Sequence, residues 1–143
     1  MVAAELIAEV MGGRSTLGKR IRSVQDLERA VSSGIPKRAL RQTAERIYSN
    51  GGAIREMMFR VVPEATFKRR TRLSPSESER TERLARVIAA AEYVWSDRET
   101  AREWLTTSHV ELSDRTPLEA AMSQLGARQV EDLLQKLFYG IPA

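Results

Sequence analysis

Three stretches of this chain begin with Ser or Thr and place Glu three residues later: Ser74-Pro75-Ser76-Glu77, Ser96-Asp97-Arg98-Glu99 and Thr116-Pro117-Leu118-Glu119. In that spacing the hydroxyl accepts from the N–H three residues on, while the carboxylate reaches back to the capping residue's own N–H. Two donors that an open helix end leaves bare are thereby satisfied together. Pro75 and Pro117 fall at the first helical position, where a missing N–H costs nothing. Each stretch therefore predicts a helix start, and a chain so punctuated leaves little room for strands. The apolar residues agree. Leu84, Val87, Ile88, Ala91 and Val94 recur at helical spacing after Ser74, and Val130, Leu133, Leu134, Leu137 and Phe138 do so after Gly126. No alternating segment competes, so the expected fold class is all-α.

The first half reads the same way. Residues 3–11 form a short helix that Gly12-Gly13 ends, and Ser23 caps a second helix carrying Val24, Leu27 and Val31, with Gly34 as its stop. Pro36 suits the first turn of a third, bearing Ala39, Leu40, Ala44 and Ile47 and closed by Asn50-Gly51-Gly52. Residues 53–61 then offer Ile54, Met57, Met58 and Val61 to a core, Val62-Pro63 makes a break, and EATFKRRTR follows over residues 64–72. Helix, tight break and basic second helix are the parts of a helix-turn-helix, whose second element lies in the major groove with a polar, cationic outer face. Ala65 and Phe67 are expected to pack inward, with Pro63 opening the helix. Thr66, Lys68, Arg69, Arg70 and Arg72 are the expected DNA-binding residues. The planar arginine fork bonds a guanine edge or clamps a phosphate, and Thr66 near the helix start sets register on a phosphate. Trp95 and Trp104 are expected to anchor the core.

Charge divides the chain. Its formal net charge is +4, but residues 1–72 hold 15 Lys/Arg against 7 Asp/Glu, while residues 73–143 hold 8 against 12. A cationic block suits a phosphate backbone and an acidic block is repelled by it. The expected division is a DNA-binding and dimerising region over 1–72 and a protein-binding region over 73–143. The chemistry of catalysis is missing: there is no cysteine, the one histidine is His109, and its neighbours Glu111 and Asp114 have no calcium- or magnesium-loop spacing. No glycine-rich phosphate loop, nucleophile elbow or dinucleotide fingerprint occurs either. The expectation is a protein that is not an enzyme, with no cofactor and no metal. No apolar run approaches the roughly 18 residues of a membrane span, and Glu5 and Glu9 interrupt the opening MVAAELIAEVMGG, unlike a secretion signal. No membrane role and a cytoplasmic location are expected.

Four ordered blocks then carry a resemblance: LSPSESERTERLARV from Leu73, AREWL, RTPLEAA and GARQVEDLLQKLFYGIPA. Through them the second half resembles the antitoxins of the Xre/MbcA/ParS group, the partners of RES-domain toxins, and EATFKRR is similar to that family's helix-turn-helix. Where relatives commonly have glycine before the Thr-Pro pair, this chain has Ser113-Asp114. The resemblance implies an antitoxin of a type II toxin-antitoxin system, and a homodimer is expected because helix-turn-helix proteins commonly read paired half-sites. It would bind and silence a cognate RES-type toxin, an enzyme that degrades NAD or transfers ADP-ribose. It would also bind operator DNA to repress its own operon. Trp104, Leu105 and Pro117 are carried over from the family's motifs as toxin-binding positions. The tail Tyr139, Gly140, Ile141, Pro142 and Ala143 is expected to enter the toxin's cleft. The alternative is a stand-alone helix-turn-helix regulator whose second half serves for dimerisation alone.

Overall fold

The computed structural model describes residues 2–140, and within them the fold is all-α. In chain order the helices are α1 (Ala4–Val10), α2 (Gly13–Leu17), α3 (Val24–Ser33), α4 (Arg38–Glu45), α5 (Gly51–Val61), α6 (Glu64–Arg69), α7 (Pro75–Trp95), α8 (Arg98–Leu105), α9 (Pro117–Ala120) and α10 (Gln124–Phe138), with a 3-10 turn at Val110–Leu112. The only extended pairing among the described residues is two isolated bridges, Pro36 with Arg72 and His109 with Arg115.

The polar caps set most helix starts. Ser23 Oγ accepts from Asp26 N at 3.1 Å, and Ser74 and Glu77 form the expected reciprocal box, at 3.1 and 2.8 Å. Thr116 and Glu119 repeat it at α9. The third box does not form. Ser96 takes a left-handed φ of 54°, and Asp97 caps α8 instead, its carboxylate accepting from Thr100 N at 2.8 Å. Aspartate is as good a cap as serine, and the one-residue shift lets the chain turn sharply out of α7.

Four other boundaries differ from the sequence reading. Gly12-Gly13 ends α1 as expected, but Gly13 at once starts α2. Pro36 is not helical, because it pairs with Arg72 and α4 begins at Arg38. Asn50 does not close α4; its side chain accepts from Gly52 N and Ala53 N, so it opens α5 and takes both glycines into that helix. Gly126 lies inside α10, whose cap is Ser123. A Cβ at Gly126 would come within 1.8 Å of Ala120 O, so the glycine is needed for α10 to cross the end of α9.

The chain divides into two compact units, residues 3–85 and residues 86 onward, so that α7 contributes its first part to one and its remainder to the other. The division thus falls between Ala85 and Arg86, later than the charge step at Arg72. The reason is local. The start of α7 is tied to the first unit, with Leu73 N donating to Ile35 O at 2.9 Å and Ile35 N to the buried Ser78 Oγ at 2.9 Å. In the first unit Met11, Ile35, Leu40, Met58 and Val62 are wholly enclosed; in the second Leu105, Leu112, Val130 and Leu134 are. Neither tryptophan belongs to that core: Trp95 and Trp104 are half-buried, with ring centroids 6.4 Å apart.

Candidate functional site

The helix-turn-helix lies in the first unit. Val62 precedes a proline and is extended, with φ −135° and ψ 125°, because the pyrrolidine ring excludes the helical region for its neighbour. The break is therefore complete at Val62-Pro63, and Pro63 caps α6. α5 buries Ile54, Met57, Met58 and Val61, as the spacing requires. α6 rests on one anchor, Phe67, whose ring meets Phe59 edge-on with centroids 5.9 Å apart. Lys37 fastens its other end, donating to Phe67 O at 3.1 Å and standing 4.9 Å from the centroid of the same ring. A cation at a helix C-terminus complements the dipole there. Ala65, expected to pack beside Phe67, is exposed. Two residues along a helix point to opposite sides, so one six-residue helix cannot bury both on the same face.

The basic run divides into two kinds. Lys68 and Arg69 sit on α6 and face solvent; Lys68 pairs with Glu64 at 2.9 Å across a surface turn, and Arg69 touches Thr66 Oγ1 at 3.5 Å. An exposed pair of that kind contributes roughly 0–1 kcal/mol. Thr66 is half-buried. Arg70 and Arg72 lie beyond the helix and are engaged with their own chain. Arg70 Nη1 meets Glu77 Oε1 at 2.6 Å, and Arg72 Nη1 donates to Gly34 O at 2.7 Å. Both side chains stay exposed, and these bonds also tie them to the exit of α6. Arg55 and Arg60 on α5 are exposed and, among the described residues, have no carboxylate partner. The sequence reading passed over them because they stand apart from the dense run, although they fill the polar gaps between the buried positions of α5.

Glu77 is the hub of this corner. Its carboxylate takes both the Ser74 N–H and the Arg70 guanidinium on one oxygen. Burial pushes its carboxyl up, but the Ser74 hydrogen bonds and the Arg70 charge outweigh that and hold it below the ordinary glutamate value.

In the second unit, Leu105 is fully enclosed and Pro117 is buried at the first turn of α9, so neither presents a surface to another protein. They set the positions of α8 and α9. Trp104 is half-buried against His109, centroids 5.0 Å apart, with His109 Nε2 3.0 Å from Trp104 O. The following loop adopts left-handed backbone at both Ser113 and Asp114, φ 59° and 62°. Glycine does this freely; here Asp114 N bonds His109 O at 3.0 Å and His109 N bonds Arg115 O at 3.1 Å, which hold the turn without it.

The exposed aromatic rings are elsewhere. Tyr93 is 48% exposed, Phe138 45% and Tyr139 65%. Tyr93 and Phe138 lie 5.5 Å apart and Phe138 and Tyr139 5.2 Å, so the three make one aromatic patch leading into Gly140. Ile141, Pro142 and Ala143 lie outside the described residues. Tyr93 and Phe138 were not singled out as contacts in the sequence, where the spacing of Phe138 matches the buried face of α10. The available signal was the run Leu137-Phe138-Tyr139, because consecutive helical positions cannot all face one core.

Comparison with known proteins bears on both units. Residues 26–86 match the family profile described as the antitoxin Xre-like helix-turn-helix domain. Residues 90–140 match the profile described as the antitoxin Xre/MbcA/ParS C-terminal toxin-binding domain. The protein called antitoxin Xre in Pseudomonas putida KT2440 is 32% identical over 84 residues, covering 56% of this chain and 53% of that protein. Antitoxin Xre of Yersinia enterocolitica serotype O:8 is 36% identical over 78 residues, 52% of this chain and 53% of that protein. The chain thus aligns with about half the length of each relative, and α5, α6 and the start of α7 all fall within the first profile, while the aromatic patch falls within the second.

Proposed function

This chain belongs to the Xre/MbcA/ParS-like antitoxin family, and from that premise we propose that it neutralises a cognate RES-type toxin and represses its own operon as a cytoplasmic homodimer. Xre-type antitoxins are non-catalytic. Among the described residues no group of His, Asp and Glu is placed to hold a metal, and no helix is long and apolar enough to cross a membrane.

The toxin-facing surface in this reading is the aromatic patch. Tyr93, Phe138 and Tyr139 present large rings to solvent, the first near the start and the other two near the end of a profile that describes toxin binding, and exposed aromatic clusters of this kind are where binding free energy concentrates. In this reading the tail that starts at Tyr139 occupies the toxin's substrate cleft and excludes NAD. Trp104 takes part at the edge of the contact. Leu105 and Pro117 act by holding α8 and α9.

The operator-facing surface is α6 with its preceding break. Arg69 and Thr66 meet bases and phosphates near the groove, Lys68 exchanges Glu64 for a phosphate, and Arg70 and Arg72 fix the helix from behind. The observation that carries the whole reading is the coexistence of these two surfaces in two separate units.

Co-expression with the RES-type protein of a neighbouring gene tests it. The full chain is expected to co-purify with that protein and stop its NAD consumption, whereas a chain lacking residues 139–143 binds DNA normally and inhibits poorly. Undiminished inhibition without those residues removes the tail from the mechanism. Failure of the full chain to bind the toxin at all leaves a stand-alone regulator.

A further inference from the structure

Behind α6 the first unit contains a cleft of about 240 Å³ that the reading above does not use. Leu17, Ala30 and Ile35 give it apolar walls, and Lys19, Ser33 and Arg72 give it polar ones. No carboxylate lines it. Only one of the five N–H donors of Arg72 is engaged, in the 2.7 Å bond to Gly34 O. Neither the Lys19 ammonium nor the Ser33 hydroxyl has a partner among the described residues. Two cations beside one concave, partly apolar space concentrate positive potential there and leave it uncompensated.

We propose that this cleft binds a compact oxyanion, a phosphate ester or carboxylate with a small apolar body. Lys19 and Arg72 clamp its charge, and Leu17, Ala30 and Ile35 cover the rest. The volume lies below the roughly 300–1,000 Å³ of drug-sized sites and suits a ligand of a few carbons. The apolar walls favour a free small molecule over a strand of DNA, whose phosphates carry no such body.

The position of the cleft gives the ligand an effect. Ile35 O accepts from Leu73 N at 2.9 Å, and Lys37 N donates to Thr71 O at 3.3 Å, so the wall of the cleft is stitched to the exit of α6. Lys37 is also the residue that fastens the C-terminal end of that helix. Gly34 makes the stitching possible: its φ is +86° and a Cβ would stand 2.5 Å from Leu73 O. A ligand bridging Lys19 and Arg72 therefore tightens the strip on which α6 is mounted. Reciprocally, DNA bound at α6 changes the ligand's affinity by the same factor.

The test is a titration of the full-length, 15N-labelled chain with glycerol 3-phosphate, at constant ionic strength in sodium chloride. Saturable amide shifts centred on Gly34, Ile35 and Arg72 are expected. Lys19→Gln, at an exposed position, weakens them by about 10-fold, whereas Arg14→Gln changes the affinity by less than about twofold. Ala30→Leu fills the space and removes the response. Equal weakening by Lys19→Gln and Arg14→Gln, or equal shifts with chloride alone, means general cation screening and overturns the proposal. Complete displacement of the probe from these amides by a short DNA duplex assigns the two cations to a phosphate backbone and overturns it as well.

Discussion

The basic run at 68–72 and the apolar run at 137–139 look alike in sequence, each short and dominated by one chemistry, yet the structure treats them in opposite ways. Of the cations, Lys68 and Arg69 remain on the outer face of α6, while Arg70 and Arg72, exposed as well, also bond Glu77 and Gly34 and so brace the exit of the helix. Of the apolar residues, Phe138, which periodicity assigns to a core, stays in solvent beside Tyr139, and the two gather Tyr93 to them. A guanidinium has five donors in a rigid fork and is readily recruited by any nearby carbonyl or carboxylate. A helix face has room for only so many rings. A functional surface is what remains once each unit has met its own needs for packing and hydrogen bonding.

The strongest way to break this comparison is through the core that leaves the aromatics outside. Gly126→Val drives a side chain into Ala120 O and is expected to cost about 3 kcal/mol or more, read as a large fall in thermal stability and loss of toxin binding together. The double variant Phe138→Ala, Tyr139→Ala should separate those effects, with toxin affinity falling by about 2 kcal/mol or more, roughly 30-fold, and the unfolding temperature nearly unchanged. A fall in stability instead would mean that the rings belong to the core.

Smaller effects test the other half of the contrast. Glu77→Gln removes the charge that Arg70 and the Ser74 N–H share, at an expected cost of about 1–3 kcal/mol in urea unfolding. Because the folded carboxyl titrates below the ordinary value of 4.5, its contribution is fully present above that pH and disappears as pH falls through the depressed value. The wild-type chain should therefore lose stability over that acid range faster than Glu77→Gln does, and parallel acid curves would count against the hub. Arg69→Ala is expected to lower operator affinity by about 1 kcal/mol and the salt slope by about 1, with stability intact. Arg70→Ala is expected to do the reverse, lowering stability first and leaving the salt slope in place. If the two substitutions behave identically in both assays, the division of the basic run is mistaken.

Local chemistry was legible wherever a helix announces itself through its own neighbours. Ser23, Ser74 with Glu77, and Thr116 with Glu119 cap as read, because capping is a bargain struck within four residues. The break at Val62-Pro63 and the inward face of α5 were equally plain. Ser96 failed for an equally local reason, since Asp97 competes for the same task. Gly34 stops α3 as read, but its second task, making way for Leu73 O, has no local signal, and Gly126, read as preceding the last helix, lies inside α10 where it crosses the end of α9.

The sequence by itself determined an all-α chain, its principal helix starts and the helix-turn-helix, since periodicity, caps and proline act over a few residues. Only the tertiary structure decided which arginines are free, why Leu105 and Pro117 are interior, and that Tyr93 joins Phe138. Those outcomes depend on partners such as Gly34 and Glu77 that approach from other segments of the chain, and no local spacing records which of them a side chain will meet.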